Sequence, residues 1–124
     1  MSQSADAPSL AFPKSRRLTR SAEFLRVKNE GRAHRGALMI LGVLETGDTD
    51  AARAGFVTSK RIGGAVVRNR VRRRLRELIR TLQHSVRPGV SIVLVARPAA
   101  ANASYSALAD EWLRLAKRAS ILRP

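Results

Sequence analysis

The sequence has no cysteine, and only five of its 124 residues are aromatic: three Phe, one Tyr and one Trp. Without Cys, neither a disulfide framework nor a thiolate zinc site can be built, so a reducing compartment suffices. Long apolar runs are missing as well. The longest, Ala37 to Leu44, is far shorter than the roughly 20 residues a helix needs to cross a bilayer. Met1 to Pro8 lacks the charged-then-apolar layout of a secretory signal, and the expected location is cytoplasmic, with no membrane contact. Acidic residues are scarce, nine Asp and Glu against 24 Lys and Arg. His34 and His84 stand far apart, and no motif joins either to a carboxylate. Asp48 and Asp50 fall in an expected loop, while Asp110 and Glu111 open an expected helix, where carboxylates suit the dipole. No catalytic residue and no metal ligand is therefore assigned to the protein itself. No GxxxxGK[ST] spacing occurs, so no nucleotide cofactor is implied.

What the chain has in excess is positive charge. A formal net charge of +15 surrounds it with a field that attracts polyanions. Twenty of the basic residues are Arg and four are Lys. Guanidinium forks bind phosphate bidentately and stack on bases, which favours a structured nucleic acid, although a GC-rich genome would bias composition the same way. The length suits one domain. Residues 1–13, with Ser, Ala and two Pro and no periodicity, read as a disordered leader, and 14–124 as a single RNA-binding domain.

Ser21 to Glu30 reads as a short helix, with Phe24 and Val27 one turn apart and Gly31 as its stop. Ala37 to Leu44 and Ala54 to Lys60 read as two paired strands around a loop over Glu45 to Arg53. From Gly63 to Ser85, Val67, Val71, Leu75, Leu78 and Leu82 recur at helical spacing and mark one apolar face. Asn69, Arg73, Arg76 and Arg80 point the opposite way, with Arg68, Arg70, Arg72 and Arg74 on the flanks. Val90 to Ala96 reads as a buried strand, and Ser104 to Ala119 as a final helix with Leu108, Trp112 and Leu115 inward. The order α-β-β-α-β-α makes an α+β fold, a small mixed sheet packed with helices. If the strands flanking the basic helix are parallel, the general rule favours a right-handed crossover.

Lys60 to Arg80 holds nine basic residues and one acid, Glu77. Such a density outweighs the ordinary reading of a solvated basic face and points to phosphates, with binding that falls steeply as salt rises. Gly63-Gly64 either simply turns the chain into the helix or also brings backbone N–H groups to a phosphate. Phe24, flanked by Arg20, Arg26 and Lys28, suits either the core or a surface that stacks single-stranded bases.

The segment Thr58-Ser-Lys-Arg-Ile-Gly-Gly-Ala-Val-Val-Arg-Asn-Arg-Val-Arg-Arg-Arg-Leu-Arg-Glu77 resembles the signature of the bacterial ribonuclease P protein family, whose hallmark Arg-Asn-Arg stands at Arg68, Asn69 and Arg70. Arg17-Leu18 followed by Phe24, Val27 and Gly31 is similar to the family's first-helix pattern. The resemblance implies a protein subunit that does not itself cleave. The catalytic RNA of ribonuclease P, using Mg2+, removes the 5′ leader of precursor tRNA, and the protein binds both RNAs. Lys60, Arg61, Arg68, Asn69, Arg70, Arg72, Arg73 and Arg76 would face the catalytic RNA, while Phe24, with Arg20 and Lys28, would form the leader cleft. The resemblance also implies a left-handed βαβ crossover, a ribosomal protein S5 domain 2-like arrangement. Gly64 stands in place of the usual Asn, Lys28 in place of a frequent second cleft aromatic, and the strand Ala37 to Leu44 has no aromatic. These departures imply a leader grip that is less stacked and more electrostatic.

Three other readings share the charge and size: a ribosomal or other structural RNA-binding protein, an autonomous metal-dependent endonuclease, and a DNA-compacting protein. The first of them does not account for the Arg-Asn-Arg context, and charge alone does not rank the three.

Overall fold

The computed structural model describes residues 17–18 and 20–123; the leader expected over residues 1–13 lies outside the described residues. Helix α1 (Ser21–Glu30) is followed by strands β1 (Arg32–Arg35), β2 (Met39–Glu45) and β3 (Arg53–Val57), then by helix α2 (Ala65–Leu82), strand β4 (Val90–Ala96) and helix α3 (Tyr105–Arg118). Short 3-10 segments at Lys60–Ile62, Gln83–Ser85 and Pro98–Asn102 join them. The helices and β4 thus fall where their periodicity places them.

The sheet differs from expectation in two respects. Its order is β1-β2-β4-β3, with β4 antiparallel to β2 and parallel to β3, so the two strands expected to pair are separated by β4. The cause lies in the side chains of β4. Val90, Ile92, Leu94 and Ala96 enter the main core, and Val93 and Val95 stand on the opposite face, so the strand carries apolar side chains on both faces and is central. The second difference is β1, an additional edge strand with the sequence RAHR. It carries no apolar alternation because charged side chains suit an exposed edge.

On one face of the sheet, α2 and α3 cover a core that includes Met39, Leu41, Val71, Leu75, Leu78, Ile92, Leu94, Leu108 and Trp112. On the other, α1 contributes Val27 and Phe24 to a smaller cluster with Leu18, Leu44 and Val93. Backbone chirality fixes the hand of the β3-α2-β4 crossover. With α2 and α3 in front and β3 running upward, an L-residue whose side chain faces the viewer directs its carbonyl to the right. Ala54 is such a residue, and its carbonyl accepts the Leu18 N–H on the outer edge at 2.9 Å. Strand β4 therefore lies to the left, and the crossover is left-handed, against the usual rule.

Glu111 lies in the middle of α3 and not at its start, so the helix-dipole reading does not apply to it. Its carboxylate is buried and accepts the N–H groups of Ala37 (3.0 Å), Leu38 (2.7 Å) and Met39 (2.8 Å), closing the β1–β2 turn onto α3. A Cβ on Gly36 would lie 2.5 Å from the Glu111 carboxyl carbon, which explains the glycine in this turn.

Glu111→Ala strands three backbone donors at once and should lower unfolding free energy by about 3 kcal/mol, read from the urea midpoint of the intact chain. A midpoint within a few tenths of a molar of the parent would show that water replaces the carboxylate.

Candidate nucleic-acid interface

Helix α2 forms because its apolar residues share one stripe, and burying that stripe turns the remaining residues outward. Gly63 reaches φ +152°, a conformation that favours glycine, and so turns the chain from the 3-10 segment into the helix. Gly64 is the N-cap and provides no side-chain cap; a Cβ there would meet nothing within 4 Å, so its smallness is not a packing requirement.

The nine cations of this region do not all stand in the same state. Lys60, Arg61, Arg73 and Arg76 are exposed and form no side-chain hydrogen bond or ion pair with another described residue. Arg68 is half-buried, its Nε without a partner. Arg70 donates to the Ala101 carbonyl at 3.0 Å and Arg74 to that of Ala103, which ties one flank of α2 to the segment before α3. On the other flank, Arg72 donates to Asn69 Oδ1 (3.1 Å) and to Thr58 Oγ1 (3.0 Å) beyond the end of β3. Glu77, the only acid of the helix, is committed to Arg80, whose hydrogen bonds hold its carboxyl below the usual carboxylate range. The face from Arg68 to Arg76 is thereby left without a compensating carboxylate.

Helix α1 crosses only part of the sheet. Beside it the back of the sheet is open, and a cleft of about 870 Å³ runs over Ile40, Gly42, Val93, Val95 and Val57. Phe24 and Lys28 of α1 form one wall, and the Phe24 ring takes up the space above Gly55, where a Cβ would lie 2.5 Å from its Cζ. Phe24 thus serves both readings, packing against the smaller core and lining the cleft. Arg32 and Arg35 from β1 and Arg72 from α2 complete the rim. Arg20 does not join them; it lines a separate crevice with Glu23, Arg26 and Arg53. An aliphatic floor with cations along its edges can accept bases below and phosphates at the rim.

Nothing in the local sequence pattern marks Arg32, Arg35 or Thr58 as part of a site. Once RAHR is known to be a strand, its alternation directs Ala33 and Arg35 to the cleft face, so the missing signal was the strand itself. Among the described residues, no group of three or more His, Cys, Asp or Glu is placed to hold a metal ion, and no helix is long and apolar enough to cross a membrane.

A family model described as Ribonuclease P matches residues 12–120. The ribonuclease P protein component of Gluconacetobacter diazotrophicus is 38% identical over 110 residues, covering 87% of this chain and 94% of that protein. That of Acidothermus cellulolyticus is 44% identical over 109 residues, covering 86% and 90%. Among solved structures, the RNase P protein from Thermotoga maritima has a TM-score of 0.73 at 25% identity, covering 82% of this chain and 96% of that one. The Staphylococcus aureus protein has a TM-score of 0.79 at 23% identity over 89% and 100%, a likeness of fold.

The division of labour along α2 can be tested without any ligand. Arg74→Ala removes a tie to the α3 entry and should cost about 1 kcal/mol of stability by thermal unfolding, whereas Arg73→Ala should change it by less than about 0.5 kcal/mol. Equal losses would mean that the two guanidiniums are not differently employed.

Proposed function

The chain belongs to the ribonuclease P protein family, and from that premise we propose that, as the protein subunit of ribonuclease P, it binds the catalytic RNA through α2 and the preceding turn and holds the 5′ leader of precursor tRNA in the cleft beside α1. The observation that carries this reading is the pairing of an uncompensated cationic helix face with a separate, cation-rimmed apolar cleft. Two RNA-binding surfaces of different character suit two RNA elements. Lys60, Arg61, Arg68, Asn69, Arg70, Arg72, Arg73 and Arg76 are assigned to the structured RNA, with Arg73 and Arg76 the most available. Phe24 and Lys28 are assigned to the leader, and Arg20 to its approach from the neighbouring crevice.

In this mechanism the RNA subunit holds the magnesium ions and performs hydrolysis. The protein screens repulsion between two polyanions and grips the leader, which strengthens substrate binding and lowers the magnesium the complex requires. A cytoplasmic location goes with the same reading.

Multiple-turnover cleavage of a precursor tRNA at low magnesium provides the test, using the organism's ribonuclease P RNA with and without the protein, and a protein-only control. Activity should appear only when both are present. Cleavage by RNA-free protein would establish an autonomous nuclease, and a folded protein that gives no rescue would turn attention to a ribosomal role. In the same system, Arg73→Ala with Arg76→Ala should weaken assembly and reduce the log–log salt slope by about 1.4 to 1.8. An unchanged slope would exclude this face as the binding surface. Phe24→Ala, checked for folding, should weaken precursor binding about tenfold while leaving mature tRNA nearly unaffected; equal losses on both would return Phe24 to the core alone.

A further inference from the structure

Arg72 stands where the two surfaces meet, and its side chain is held from both sides. Asn69 lies one helical turn earlier on α2, and its Oδ1 accepts from one terminal nitrogen of Arg72 at 3.1 Å. Thr58, just past the end of β3, accepts from the other terminal nitrogen at 3.0 Å through its hydroxyl. The amide orientation of Asn69 follows from chemistry, because guanidinium has donors only and the amide must turn its oxygen toward it. Two of five guanidinium donors are thus spent on the scaffold, and three remain for a ligand, enough for a bidentate grip on phosphate. Both Arg72 and Thr58 line the cleft.

We propose that Thr58 and Asn69 are positioning residues that hold Arg72 at the rim of the cleft, so that its guanidinium meets a leader phosphate already oriented. The inference rests on the assignment of the cleft to the leader. It turns Arg72 from the catalytic RNA to the leader, gives Asn69 a role besides facing the catalytic RNA, and gives Thr58 a role that its uncharged side chain does not announce. A long, exposed arginine otherwise loses rotamer freedom at the moment of binding; anchoring at two points removes that loss beforehand. In this chain, where Lys28 occupies a wall of the cleft and the floor is aliphatic, a pre-set phosphate contact carries a larger share of the grip than stacking does. The chain from Asn69 to Thr58 also links the face assigned to the catalytic RNA with the cleft assigned to the leader.

The test uses the reconstituted holoenzyme with the full-length chain, and two precursor tRNAs, one with a long leader and one with a single-nucleotide leader. Thr58→Val removes the hydroxyl with little change of shape. It should raise KM for the long-leader precursor about 3- to 10-fold at unchanged kcat, and leave the short-leader precursor within about twofold. Thr58→Ser, which keeps the hydroxyl, should restore the parent value. Asn69→Ala, at an exposed helix position, is read at saturating catalytic RNA as the ratio of KM for the long-leader precursor to KM for the short-leader one, so that any loss of assembly common to both cancels; that ratio should rise about 3- to 10-fold, which provides an independent reading if the Thr58 variant folds poorly. Equal effects on both precursors, or failure of Thr58→Ser to rescue, would overturn the positioning role. Arg72→Ala separates the two levels of the argument. If it shows no leader-length dependence, the cleft assignment falls and the inference with it. If Arg72→Ala is leader-dependent while Thr58→Val and Asn69→Ala are not, the cleft assignment stands and the inference alone fails.

Discussion

Strand β4 must be buried on both faces, and most of the architecture answers that requirement. Of its seven residues, Val90, Ile92, Leu94 and Ala96 face the α2–α3 layer, Val93 and Val95 face α1 and the cleft beside it, and Ser91 is buried and polar. A strand with apolar side chains on both faces favours a neighbour on each edge and a layer over each face. Strands β2 and β3 supply the edges, which is why they cannot pair with each other. Helices α2 and α3 cover one face fully. The other face receives α1, whose ten residues are too few to span it. The cleft is the part of the sheet that α1 leaves open, so a binding surface arises from an incomplete layer.

Charge is distributed against the same frame. Each described glutamate faces an arginine: Glu23 with Arg53, Glu30 with Arg26, Glu45 with Arg87, Glu77 with Arg80, and Glu111 with Arg114. None of these partners lies between Arg68 and Arg76. Mostly exposed pairs of this kind add little stability, roughly 0.2–1 kcal/mol each. Their effect here is one of location, because four of the pairs lie off α2 and the fifth, Glu77 with Arg80, sits beyond Arg76, which leaves the stretch from Arg68 to Arg76 to a polyanion. Even there the arginines divide. Arg70 and Arg74 brace the backbone ahead of α3, Arg72 reaches across to Thr58, and Arg73 and Arg76 remain available. A count of basic residues would have treated all of them alike.

Legibility followed periodicity. Helices α1, α2 and α3 and strand β4 could be placed from the sequence because each repeats its apolar residues at the spacing of its own geometry. The cationic face of α2 was legible for the same reason, since an apolar stripe on a helix specifies what lies opposite. Strand β1 was not legible, because an exposed edge of Arg, Ala, His and Arg needs no apolar alternation. Sequence alone offers Glu111 only a helix-dipole role; it lies mid-helix instead, and its carboxylate holds a turn more than 70 residues away. Arg20 and Lys28 looked equivalent beside Phe24, yet they line different hollows.

The sequence by itself determined composition, charge, the helix faces and, through the Thr58 to Glu77 segment, the family. These are local properties, written in spacings of three, four or two residues along one element. Strand order, the hand of the crossover, the partner of Glu111 and the meeting of Arg35 with Arg72 across one cleft were decided only in the tertiary structure. Each depends on burying side chains from elements distant in the chain against one another, and that choice is made by the whole core at once.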